Sequence, residues 1–248
     1  MKELLKNIWI LVCVFLFFMG ISAESMHYLQ ATRGIMPTAF ETFLLTSNET
    51  HFILFPLMYI LLLISMGGGI GEIQDKLTPY KLLKNAILIS IAYVVLFIFA
   101  NTFYALLTTD IKYVFSNTWS YSSELSSIGL SPLLICIISI LLILMRNIFC
   151  VYTVSLINTL TRKRHWGFWI LFLITYIDFS FYRMLHIRYP LGILPIEHTR
   201  ITYTEALLPS TYEYSRFPYF ISFIYWILLI GIVLIIFILI SNRRRKHS

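Results

Sequence analysis

Six stretches of the chain are apolar almost without interruption, and polar residues gather between them. The stretches cover residues 8–23, 52–70, 85–108, 131–158, 166–182 and 217–241. A hydrocarbon layer about 30 Å thick takes roughly 20 apolar residues of helix to cross. Barrel strands would instead alternate apolar and polar positions in segments of about 10 residues. The pattern therefore predicts an all-α, polytopic membrane protein with about six transmembrane helices, forming a single transmembrane domain over residues 1–248. The connections are too short to hold an independently folded domain.

Composition strengthens that reading. The 248 residues are 58% hydrophobic and 12% charged, and mean hydropathy is +0.80. Soluble domains carry about 25% charged residues, so this chain lacks the groups to solvate a globular surface. The three cysteines, Cys13, Cys136 and Cys150, lie inside apolar stretches. They have no ligand-like or disulfide-framework spacing and are expected to be small buried hydrophobes.

Charge sets the expected orientation. With six crossings, twelve of the nineteen Lys and Arg residues fall on one set of connections and tails, six on the other, and Arg146 within a span. Lys and Arg excess marks the cytoplasmic side, so both termini are expected there and the location is the cell membrane. Eight of the twelve acidic residues lie on the outside segments, which agrees. The first stretch also has features of a signal peptide: Lys2 and Lys6 precede it and it ends Ile21-Ser22-Ala23. On either reading residue 24 onward starts outside. The net charge of +7 serves orientation and contact with anionic lipids, and nucleic acid is not an expected partner.

The outside segments, residues 24–51, 108–130 and about 182–216, are aromatic and broken by Pro37, Pro190, Pro195 and Pro209. Such sequences favour short helices or loops at the headgroup level. The last is also open to dipping into the outer leaflet or folding over the bundle. On the inside, Gly67, Gly68, Gly69 and Gly71 precede a stretch from Glu72 to Leu77, after which Pro79 is expected to start the next helix. The glycines are no phosphate loop, because they lack the Gly-Lys-Ser/Thr ending. Residues 72–77 read either as a short helix on the inner surface or as a plain connector.

Two ionisable residues fall within spans, Arg146 and Asp178. Each is placed about 18 Å from the cytoplasmic boundary at 1.5 Å per helical residue. A charge at that depth costs about 2.5–3.5 kcal/mol on insertion scales, so an Arg146–Asp178 ion pair is a candidate. The alternatives are snorkelling of Arg146 and an interfacial position for Asp178. Motifs for catalysis are absent: there is no His-Glu-x-x-His, no paired intramembrane aspartates and no Gly-x-Ser-x-Gly. The six histidines fall in loops or at interfaces, so neither a metal nor haem is expected. No catalytic or cofactor-binding residue is assigned, and an enzyme is not expected.

The chain resembles the membrane subunits of bacterial type-2 ABC exporters, small permeases with six helices. The resemblance rests on the basic, amphipathic start at residues 1–7 and on the inside connection ending Leu77-Thr78-Pro79-Tyr80-Lys81-Leu82-Leu83-Lys84. It also rests on the long aromatic segment before the last span and on the basic tail. The first outside loop is longer than the family's. The resemblance implies a separate ABC ATPase docking on residues 72–83, with Glu72, Asp75, Leu77, Pro79 and Leu82 as the candidate contact residues. It also implies a homo- or hetero-dimer of permease chains and a peptide, antimicrobial or lipid-like substrate. The competing expectation is a membrane-embedded accessory or immunity protein that binds a partner and transports nothing.

Overall fold

The computed structural model describes residues 19, 38–53, 79–108, 110–119, 130–161, 166–185, 198 and 219–245. Among them there is no strand. Six helices are described: α1 (Ala39–Ile53), α2 (Pro79–Thr108), α3 (Ile111–Val114), α4 (Pro132–Thr161), α5 (Trp166–Leu185) and α6 (Tyr219–Arg245). Three carry segments long and apolar enough to cross a membrane: Ala86–Leu107 in α2, Pro132–Asn158 in α4 and Ile221–Ile240 in α6. Helix α5 is a further long, largely apolar helix of 20 residues. Apart from Met19, the stretch at residues 8–23 lies outside the described residues, as does all but the beginning of 52–70.

Each helix starts where its free backbone N–H groups find acceptors, a requirement that becomes strict away from water. Thr38 and Glu41 open α1 as a reciprocal capping box. The Thr38 N–H donates to Glu41 Oε2 at 2.9 Å, and the Glu41 N–H donates to Thr38 Oγ1 at 3.2 Å. Pro79 and Pro132 stand at the first positions of α2 and α4, where a missing N–H costs nothing. The next two donors of α4 are taken by Asn117 Oδ1, 3.0 Å from the Leu133 N, and by Ser131 Oγ, 3.4 Å from the Leu134 N. Asp110 caps the single turn of α3, and Trp119 Nε1 donates to the Leu130 carbonyl at 3.0 Å, closing the connection onto the start of α4.

The first outside segment differs from the short interfacial elements expected there. Its second half forms α1, with Ala39, Phe43 and Leu44 buried. Ala39 clusters with Ala105 and Val114, and Phe43 meets Phe97 edge-on at a centroid distance of 5.1 Å. The helix thus descends beside the last turns of α2. The apolar stretch counted from residue 52 is therefore preceded by a helix already packed in the bundle. Threonines and a capped glutamate disguise α1, because its polar groups are hydrogen-bonded locally.

Helix α4 is the centre of the bundle and packs against α1, α2, α5 and α6. The core joins Tyr93 and Phe97 of α2, Leu142, Ile143 and Tyr152 of α4, and Trp226 and Phe237 of α6. On α2 the buried face holds Ala86, Ser90, Ala100, Asn101 and Ala105, while Ile87, Leu88, Ile91, Val95, Phe99 and Leu107 are exposed. Small and polar residues inside with large apolar ones outside is the arrangement of helices packed in lipid. Only 17% of the apolar window of α6 is buried within the chain, against 50% for α4. In water so much exposed apolar surface would drive aggregation.

Candidate functional site

Among the described residues, five of the thirteen buried polar or charged side chains lie along α4. Ser139, Arg146, Asn147, Ser155 and Asn158 are all at or below 5% exposure, in a helix where nearly everything else is apolar. Each sits on the buried side because α4 is covered by four neighbours, and three- and four-residue steps return to the same face.

At one end of this seam Asn158 holds α5. Its Oδ1 accepts from the Gly167 N–H at 2.8 Å, a cap supplied from another helix. Gly167 is needed for the approach: a Cβ there would overlap the Val154 carbonyl oxygen and crowd Asn158 Oδ1. Towards the α1 end, Thr46 Oγ1 donates to Asn101 Oδ1 and Asn101 Nδ2 donates to the Phe97 carbonyl at 2.8 Å. Thr46 Oγ1 is also 2.9 Å from the Thr42 carbonyl. Cys136 Sγ donates to the Phe40 carbonyl at 3.3 Å, joining α4 to α1. Other hydroxyls bond back to their own helix: Ser90 to Ala86 O at 2.6 Å and Thr175 to Leu171 O at 2.9 Å. These groups are satisfied, and their role is packing.

Between these ends stand Arg146 and Asn147, 5% and 0% exposed. The Arg146 guanidinium is close enough to Tyr93 on α2 and Cys150 one turn along to act on both electrostatically. Asn147 turns about 100° away from it around the helix. A strongly hydrogen-bonding cation beside a carboxamide, in an otherwise apolar span, can bind an anionic or amide-bearing group or orient water. It cannot by itself perform nucleophilic or acid–base chemistry. Among the described residues no three His, Cys, Asp or Glu side chains stand together to hold a metal ion.

A second polar knot ties residue 198 to α6. His198 is 2% exposed and stacks on Tyr225 at 3.9 Å between centroids. Its Nδ1 lies 3.1 Å from Ser222 Oγ, and its carbonyl accepts from Trp226 Nε1 at 3.0 Å. Trp226 in turn packs against Phe149 of α4 at 5.7 Å. His198 thereby joins the core beside α6.

Of the residues singled out from sequence, Arg146 is buried in α4. Asp178 lies on α5, with its side chain outside the described residues. Its position is eleven residues beyond Gly167, and Asn147 is eleven before Asn158. Counted from the Asn158–Gly167 bond, positions 147 and 178 are therefore both about 16 Å along their helices, and 146 is one residue further. Pro79 opens α2; Leu82 lies within α2, its side chain outside the described residues. Glu72, Asp75 and Leu77 lie outside them altogether, as does Cys13, whereas Cys136 and Cys150 are buried and free. Asn101, Asn147, Asn158 and His198 were not singled out. The signal for the asparagines was available, since an amide in an apolar span must find a partner or serve a purpose. No family model matches the chain, and no curated protein or solved structure is significantly similar to it.

Proposed function

We propose that this chain is the permease subunit of an ATP-driven exporter. It works with a separate ATPase and moves a peptide, antimicrobial or lipid-like substrate across the cell membrane. In this reading the chain crosses six times with both termini in the cytoplasm, as the Lys and Arg distribution favours. Two such chains line the path. The observation that carries the proposal is the burial of Arg146 and Asn147 in the middle of the long apolar segment of α4. A helix whose only task was anchoring would gain nothing from them, whereas a path for a polar or amphipathic substrate needs such groups. Pro79 supports the coupling side, because α2 begins there, directly after the proposed ATPase contact. A push on residues 72–83 would be delivered to the foot of a 30-residue helix.

The test is purification of the tagged full chain from its native membrane in mild detergent. The expected result is a stoichiometric soluble subunit with a phosphate-binding loop, lost when Leu77 and Leu82 are both changed to Ser while the amount of inserted chain stays the same. A chain that emerges alone, or with a membrane partner and no ATPase, would replace this proposal with the accessory or immunity role.

A further inference from the structure

Asn147 is fully buried, yet among the described residues neither its Nδ2 nor its Oδ1 has a hydrogen-bond partner, as is also true of the Thr42 and Thr153 hydroxyls. The bundle treats its neighbours differently. Asn158 Oδ1 is filled by the Gly167 N–H, and both ends of the Asn101 amide are used. An unfilled carboxamide is costly where no water competes, and a leucine of similar size would remove that cost. Groups that lower stability in this way are characteristic of binding sites.

The chemistry of the group narrows the ligand. A carboxamide presents one acceptor and two donors side by side, the complement of a secondary amide with its C=O and N–H. One turn away on α4 stand Ile143, Leu144 and Val151, so the polar contact is isolated in apolar surroundings. A glycan, with hydroxyls on every side, would leave most of them unpaired there. An apolar peptide confines its polar groups to backbone amides, the group that a carboxamide complements.

We propose that the Asn147 carboxamide is the binding point for a backbone amide of an apolar peptide, reached when the bundle opens. This rests on the permease reading and specifies its substrate class.

The test uses the purified full chain in lipid nanodiscs and radiolabelled N-acetyl-Leu-Leu-Leu-amide, with binding read by equilibrium dialysis. Saturable binding is expected, weakened about tenfold or more in Asn147→Leu, and that variant should melt no lower than the parent. The same peptide methylated on every backbone nitrogen should bind the parent about tenfold or more weakly. Three results would overturn the proposal: no saturable binding, equal binding of the methylated peptide, or a lower melting temperature in Asn147→Leu with peptide binding unchanged. The last would mean that the amide holds only a structural water. Peptide binding without a co-purifying ATPase would leave this site standing and remove the exporter. A co-purifying ATPase without peptide binding would do the reverse.

Discussion

Single residues decide how closely the helices approach. Gly167 lies against the Val154 carbonyl, with its N–H filled by Asn158. Gly167→Ala must push α5 away from α4, at a cost of about 1–3 kcal/mol. Asn158→Ala leaves the contact in place but strands the donor, at about 1 kcal/mol. Thermal melting in detergent should rank the two in that order; equal stability of Gly167→Ala and parent would contradict the close approach. Arg146 and Asp178 call for a cycle of measurements. Arg146→Gln and Asp178→Asn are each expected to reduce folded yield or activity, and exchanging the two charges should restore part of the loss. A coupling energy near zero in the double-mutant cycle would remove the pair and leave Arg146 to Tyr93 and its own helix.

At the level of elements, α1 shows what a purely apolar count overlooks. Its threonines and Glu41 read as polar loop, yet the capping box and the Thr46–Asn101 bond make them compatible with burial. Thr46→Val alone should cost about 1–3 kcal/mol by leaving Asn101 Oδ1 without its donor, whereas Thr46→Val with Asn101→Leu should lie close to the parent, and in Asn101→Leu alone the Thr46 hydroxyl keeps the Thr42 carbonyl. Melting curves for the two singles and the double give the comparison, and a double variant worse than the sum of the singles would refute the pairing. The long apolar helices α2, α4 and α6 were legible from the sequence because length and continuity alone identify them. The inner faces were not. Which side of α4 is buried depends on four neighbours, and nothing local to Asn147 distinguishes it from the satisfied Asn158. His198 is the extreme case. Its sequence surroundings suggest a surface loop, and its described partners, Ser222, Tyr225 and Trp226, come some 24–28 positions later.

For the whole molecule, the large apolar residues exposed on α2 and the sparse burial of α6 are compatible with insertion in a membrane. The proposed topology is open to direct measurement. In a Cys13→Ser background, where Cys136 and Cys150 are buried, Asp110→Cys should react with a membrane-impermeant thiol reagent added to intact cells. Ser248→Cys should react only after the membrane is opened. Labelling of both from outside would require an even number of crossings between them and would overturn the proposed topology.

The way these helices cap one another also bears on the order in which the protein is made. Asn117 supplies the acceptor for the start of α4, Asn158 for the start of α5, and the His198 carbonyl for Trp226 of α6. In all three the acceptor lies earlier in the chain than the donor it receives. The first turns of α4 and α5 therefore meet a partner already synthesised as they leave the ribosome, whereas Thr46 of α1 must wait for Asn101. Assembly can proceed from the N-terminal side, each helix docking as it enters the membrane, without a period in which its first N–H groups face hydrocarbon alone.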